Sequence, residues 1–351
     1  MKRFLTMMTM ASVSMMMMAQ TELGSGLNEA DFNKNVRPGD DFYEYACGGW
    51  MKNNPLPGAY SRYGSFDRLQ EDNDKRINGI LKELQSNTYT KGTIEQKLSD
   101  LYKLAMDSTR RNKEGVAPVM PLIKKLEAAK TVKQLLAIQL ELAPYGEQEF
   151  FYAGFGADEK NATQNILNVY QSGLTLGQKE YYLDNDKATA NIREAFKKHV
   201  VKMFQLFGFS KSAATKKMQN VMKIETALAK VSRSRTELRD PEANYNKMTL
   251  KEFEAKYPNL PLVKVMNAKG IDTKYLQEMV VGQPEFLDGA NKVVGALKPA
   301  EYRDVIEWGL IEDAANYLSD ATVAESFDFY GKIKAGRKQN HPLWKRSTGQ
   351  V

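Results

Sequence analysis

A mainly α, multi-helical fold with a small β-hairpin is what this sequence predicts, on three observations. Apolar residues recur at helical spacing through most of the chain from Phe66 to Lys334. One interval, Glu149 to Tyr170, breaks that period with an aromatic-rich run, a polar turn and a second β-prone run. The 351 residues are 42% hydrophobic and 26% charged, ordinary for a globular chain and enough for a sizeable core.

Taken in order, residues 1–19 read as a secretory signal. Lys2 and Arg3 precede the apolar run Phe4–Met18, and Ala19 supplies a small residue before Gln20. The run is too short, and too interrupted by Ser and Thr, to span a membrane. The expected location is therefore exported, in a bacterial periplasm or outside the cell, with no membrane span after signal removal. Residues 20–36 form a polar arm. Residues 37–65 hold a Pro-Gly turn, the acidic pair Asp40 and Asp41, and the aromatics Phe42, Tyr43, Tyr45 and Trp50 around the only cysteine, Cys47. Gly48 and Gly49 imply a close backbone approach, and Asn53-Asn54-Pro55-Leu56-Pro57 cannot continue a helix. The stretch reads as a tight, buried corner with an exposed arm, and Asp40-Asp41 as a helix N-terminal cap.

Phe66, Leu69, Ile77, Ile80, Leu81 and Leu84 predict a helix to about Gln85. Thr93 caps the next through the Gln96 amide, with Ile94, Leu98, Leu101, Leu104 and Ala105 as its expected core stripe. Helices are expected at 117–129 and 132–143, a hairpin from Glu149–Phe155 and Asn165–Tyr170, then helices at 188–207 and 211–234. Thr249 caps a short helix, Met279–Val281 is a candidate strand, and helices at 284–295, 299–318 and 321–334 complete the series.

Several chemistries are excluded or unsupported. Net charge is +7, or +5 without Lys2 and Arg3, but basic residues are interleaved with acids, so no nucleic-acid footprint is expected. One cysteine makes no internal disulfide. Gly154-Phe155-Gly156 lacks the continuation of a phosphate loop, and no carboxylate pair stands out as a glycosidase dyad. A zinc peptidase needs three protein ligands and an open position, and the helical carrier is His-Glu-x-x-His. The two histidines, His199 and His341, are remote in sequence, and neither has a glutamate at that spacing. Both read as exposed or capping residues, and Cys47 as structural beside Trp50. Neither catalytic nor metal-binding residues are assigned.

Four stretches resemble the neprilysin-type zinc metallopeptidases, a family with endothelin-converting-enzyme-like and bacterial oligoendopeptidase O-like members. They are Asp40–Trp50 with Arg62–Asp67, then Gly173–Leu176 with Tyr181–Leu183, Glu237–Pro241 with Tyr245–Met248, and Phe329–Lys332 with Pro342–Arg346. The resemblance runs from about residue 28 to the end. It implies the N-terminal, substrate-enclosing half of a peptide hydrolase: residues 20–85 packing on a catalytic domain, 86–346 forming a helical domain over it, and the catalytic zinc domain absent after 351. The relatives' one zinc ion, their Glu-x-x-x-Asp ligand segment and their Asn-Ala-x-Tyr strand belong to that further half, so this chain is expected to be inactive alone and to hold no cofactor. Cys47 would pair with a cysteine there, and Ser347 stands where some relatives carry another.

The resemblance also assigns substrate-binding residues. Arg62 would meet a peptide carboxylate or carbonyl with its planar fork, and Phe66 would line an apolar side-chain pocket. Gln70, where some relatives have a second arginine, weakens any preference for a free C-terminus. Read locally, Arg62 is instead a salt-bridge partner of Asp67 or Glu71, and Phe66 a core anchor. The expected partners are peptides and the missing catalytic domain. Two rival readings are a stand-alone, non-catalytic peptide-binding protein and a helical exported solute-binding protein. The latter calls for an anchoring cysteine just after the signal, and none occurs there.

Overall fold

The computed structural model describes residues 26–144 and 150–351. The signal expected over residues 1–19 lies outside them, as does the Glu149 start of the first strand. The chain divides into two compact units, one ending at Asp67 and one beginning at Arg68.

The first unit holds a 3-10 turn at Glu29–Asp31 and helix α1 (Phe42–Asn53). Asp41 caps α1 by accepting the Glu44 amide (2.9 Å), as expected of the acidic pair. The sequence gives little sign of a helix here, because two glycines sit inside it and each costs about 1 kcal/mol of propensity relative to alanine. Close approach explains them. A Cβ on Gly49 would lie 2.9 Å from the Phe32 carbonyl oxygen and nearer still to that of Ala30. Phe32 meets Tyr45 edge-on (5.5 Å), and Tyr63 packs on Trp50 (6.0 Å) and Tyr60 (5.1 Å). The corner is tight, but it is not buried: among the described residues of this unit only Gly48 and Ala59 are. Cys47 is half-buried with a free thiol.

Helix α2 (Ser65–Gln85) leads into the second unit, followed by α3 (Ile94–Met106), α4 (Ser108–Glu114), α5 (Met120–Ala128) and α6 (Val132–Leu142). The predicted helices are present, but most of their apolar stripe residues are uncovered. Leu69, Ile80 and Ile94 are 65%, 58% and 71% exposed, and Leu101 and Leu104 are exposed as well. What α2 and α3 bury is Asn78, Leu81, Ser99, Tyr102 and Ala105. Asn78 donates to the Tyr102 hydroxyl (2.5 Å) and to Thr348 Oγ1 (3.3 Å), and Ser347 donates to the Ala105 carbonyl (3.0 Å). The last helix of the chain therefore docks beside the first two of this unit.

The expected hairpin is present, as one side of a four-stranded sheet. Strands β1 (Phe151–Asp158) and β2 (Asn161–Gln171) are antiparallel. The order is β1-β2-β4-β3, with β3 (Asn246–Thr249) antiparallel to β4 (Glu278–Val281), and β4 parallel to β2. The central strands bury the unbroken runs Ile166–Val169 and Met279–Val281, the pattern of strands covered on both faces.

After β2 come α7 (Glu180–Leu183), α8 (Lys187–Leu206) and α9 (Lys211–Val231). Asp186 and Ser210 cap the last two by accepting the Thr189 (3.0 Å) and Ala213 (3.2 Å) amides. Then follow α10 (Leu250–Lys256), α11 (Leu262–Ala268), α12 (Pro284–Gly295), α13 (Pro299–Ala314) and α14 (Asp320–Ser326). A π-helical segment, Phe327–Lys334, extends α14, and α15 (Leu343–Thr348) ends the series. Helix α13 is central: Tyr302, Ile306, Trp308 and Ile311 are each at most 2% exposed. Around it lies one core with Phe196, Phe204, Leu228, Phe286 and Phe329. Fully burying each such side chain contributes about 1.5–3 kcal/mol.

Candidate functional site

In the first unit the Pro57–Tyr63 loop brings Arg62 to the start of α2. Both residues assigned to peptide contact face solvent: Arg62 is exposed and Phe66 is 85% exposed. Phe66 is thus no core anchor. Asp67 accepts the Gly64 amide (2.9 Å), fixing the turn into α2. Arg62 makes no ion pair among the described residues, and of the two carboxylates read as its local partners Asp67 faces the Gly64 amide and Glu71 lies 3.9 Å from Lys345.

In the second unit sequence reasoning missed a polar cavity of ≈ 280 Å³, set between the Ser172–Thr175 turn, α9, α13 and the π segment. Gly173 takes φ +86° in this turn, a conformation only glycine adopts freely. At the cavity wall Glu225 is 2% exposed. Thr175 Oγ1 donates to one carboxylate oxygen (2.6 Å) and the Tyr182 hydroxyl donates to the other. The Trp308 indole N–H donates to Thr175 Oγ1 (2.9 Å), completing a chain of donors. Burial outweighs these hydrogen bonds and pushes the Glu225 pKa up to about 7. Burial and the neighbouring Glu225 likewise raise Tyr182, keeping it a neutral donor.

Beneath the cavity lies His199, which is 2% exposed, contrary to its reading as an exposed or capping residue. Its ring stacks on Phe329 (4.9 Å) and meets Trp308 edge-on (5.7 Å). Nδ1 lies 3.1 Å from Glu325 and Nε2 lies 3.8 Å from Glu312. Burial opposes charge on the ring, but the two carboxylates outweigh it and raise the pKa above its ordinary value. His341 is half-buried in the tail, and burial lowers its pKa. Among the described residues no group of three His, Cys, Asp or Glu is placed to hold a metal ion. Both His199 nitrogens face carboxylates inside the core, and the ring offers no open coordination position, so the residues described do not fit a catalytic zinc.

A second buried polar group lies between α5, α9 and α13. Lys217, nearly buried, reaches Glu127 (2.6 Å), Asp304 (2.9 Å) and Glu307 (2.5 Å). Asn220 donates to the other Asp304 oxygen (2.7 Å), and Arg303 lies 3.5 Å from Glu127. Two cations thus face three carboxylates. Burial pushes Glu307, with no exposed surface, up to about 8, so that with Glu307 protonated the cluster is neutral. Lys217 stays charged: burial opposes it, but the surrounding carboxylates raise its pKa.

Over residues 38–351 the chain matches the N-terminal profile of peptidase family M13, and it belongs to that family. It is 29% identical over 324 residues to endothelin-converting enzyme 1 of Cavia porcellus, an alignment that covers 89% of this chain and 42% of that protein. To neprilysin of Mus musculus it is 24% identical over 359 residues, covering 92% and 46%. The fold superposes on the zinc metalloprotease Zmp1 of Mycobacterium tuberculosis, solved with an inhibitor, with a TM-score of 0.86 at 25% identity, covering 93% of this chain and 50% of that one. The chain therefore spans half or less of the length of these relatives, and it corresponds to their N-terminal half.

Proposed function

We propose that this chain is the substrate-enclosing half of an exported zinc metalloendopeptidase that hydrolyses peptides. One observation carries the reading: apolar side chains that a lone globular chain would cover stand uncovered. Phe42, Tyr43, Leu56 and Phe66 do so in the first unit, and Leu69, Ile80, Ile94, Leu101 and Leu104 in the second. Large exposed apolar surfaces mark interaction sites, and the half-length match to M13 peptidases supplies a partner, a catalytic half. In this reading residues 20–85 pack on the catalytic half, residues 86–346 form the helical domain that closes over the peptide, and Arg62 and Phe66 contact its distal part. The zinc ion, with the water it activates, belongs to the catalytic half.

The chain alone then binds no catalytic zinc and hydrolyses nothing. The deciding measurement is the intact mass of the native exported protein, detected with an antibody against residues 90–340. A species much heavier than this chain is expected. A species of the signal-processed chain's own mass would overturn the reading in favour of a stand-alone binding protein. Chelator-sensitive peptide hydrolysis by the purified chain would refute the assignment of catalysis to another half.

A further inference from the structure

The interleaving of bases with acids that holds along most of the sequence breaks down on helices α8 and α9. Together they carry ten Lys and Arg but only two acids, Glu194 and Glu225, a surplus of eight where the whole chain nets +7. Glu225 is buried and offers the surface no charge, and of the cations only Lys217 is drawn into the core. The rest are not spread evenly. On one side of α8, Lys198 and Lys202 share a groove with Glu194, Glu325 and Asp328, so acids match them. Between α8 and α9 nothing does. There a groove of ≈ 720 Å³ is lined by Arg193, Lys197, Lys223 and Lys230, with no acidic residue among its walls. Glu194 pairs with Lys197 (2.6 Å) and Glu301 with Lys223 (2.5 Å), whereas Lys216 and Lys230 make no ion pair among the described residues. Lys216, Lys223 and Lys230 recur every seventh residue, so they form one exposed row over about 21 Å of α9. A row of that length exceeds any small anion and matches an extended one.

Three features choose among extended anions. The row is all lysine, with Arg193 the one planar fork beside it, whereas bidentate phosphate and base recognition favours arginine. Helix α9 has no aromatic residue and α8 buries both of its own, Phe196 and Phe204, so no ring is presented to stack on a base. Met218, Met222 and the lysine stems set apolar surface among the charges, which suits a boundary of headgroups and acyl chains.

We infer that the α8–α9 face is a docking surface for an anionic phospholipid bilayer. The chain adsorbs there by charge, since no helix among the described residues is long and apolar enough to cross a membrane. Lys216, Lys223 and Lys230 meet the headgroup phosphates, and Arg193 and Lys197 widen the contact across the groove. The inference needs neither a peptide nor a catalytic half, so it stands or falls apart from the peptidase reading.

The test is co-sedimentation of the signal-processed chain with vesicles of phosphatidylglycerol mixed into phosphatidylcholine, against vesicles of phosphatidylcholine alone. Each Lys or Arg near an anionic surface raises partitioning about fivefold, so the acidic vesicles should hold the chain at least about tenfold more tightly at about 0.1 M salt. The preference should vanish at about 1 M salt, where the Debye length shrinks to about 3 Å. Lys216→Gln with Lys230→Gln removes two charges that make no ion pair, so partitioning should fall at least about tenfold while the melting curve stays in place. Lys198→Gln with Lys202→Gln, on the side where acids match them, should lower it less than about threefold. Equal binding to the two kinds of vesicle, binding to neither, a preference that survives high salt, or equal losses in the two double variants would overturn the surface. Tighter binding of a DNA duplex than of the acidic vesicles would overturn the assignment to lipid.

Discussion

Replacing Lys217 with methionine tests the account of the buried ionic cluster. Methionine fills much of the lysine stem's space, so the loss is chiefly electrostatic. Asp304 and Glu307, 3% and 0% exposed, would lose the ammonium that each now touches. Breaking a buried pair from one side costs about 3–5 kcal/mol, and each kcal/mol lowers Tm by about 2–4 °C in a domain of this size class. Glu307→Gln is the counterpart. With its pKa near 8, Glu307 is already mostly neutral at pH 6, and glutamine offers Lys217 the same carbonyl, so the change should cost less than about 1 kcal/mol.

The pH dependence follows from the same group. Burial raises Glu307 from its ordinary 4.5 to about 8, so between those values the folded chain holds more protons than the unfolded one. Its contribution is present in full below about pH 4.5 and is lost as pH rises to about 8, at up to on the order of 1 kcal/mol per pH unit. The glutamine variant lacks this slope and should gain on the wild type between pH 5 and pH 8. Urea unfolding followed by far-UV circular dichroism at pH 5, 6.5 and 8 reads both effects. A Lys217→Met loss below about 1 kcal/mol, or a Glu307→Gln difference that does not change with pH, would refute the reasoning.

Gly49→Ala should destabilise the first unit by about 1–3 kcal/mol, because the added methyl meets the backbone of the Ala30–Phe32 turn. Limited proteolysis within Phe42–Asn53 measures it, and a gain in stability of the size that alanine brings to a free helix would show that the close approach is absent. Ile80→Ser with Leu104→Ser, on exposed apolar positions, should leave unfolding free energy within about 0.5 kcal/mol per site while reducing self-association in sedimentation. A loss above about 2 kcal/mol would mean that these side chains are core.

Helix positions were legible in the sequence because caps and apolar spacing are local. Thr93 and Asp41 cap as read, and the helices at 187–206 and 211–231 lie within a few residues of expectation. The direction of burial was not legible. Periodicity marks an apolar face without saying what covers it, so Phe66 and Ile94 read as core and prove exposed. Strand β3 escaped because Asn246–Thr249 pairs only with Glu278–Val281, a remote partner, and is too short to show alternation. Buried charge was equally hidden. Glu225, Asp304 and Glu307 look like surface carboxylates on helices, and only the packing of α9 against its neighbours reveals their partners. Arg62 and Phe66 were assigned by resemblance alone, since an exposed arginine and phenylalanine carry no local signal.

The docking of α15 beside α2 and α3 makes the helical second unit an excursion. The polypeptide departs along α2 and returns to it 270 residues later, where Thr348 meets Asn78. A segment whose ends lie together is the kind that a host chain accommodates as an insertion, because adding or removing it displaces neither flank. Any polypeptide continuing beyond Val351 would set off from the flank of the helix by which the excursion began. Stretches far apart in the gene would meet there as a single junction, and a nick in an outlying loop of the unit would leave that junction tied from both sides.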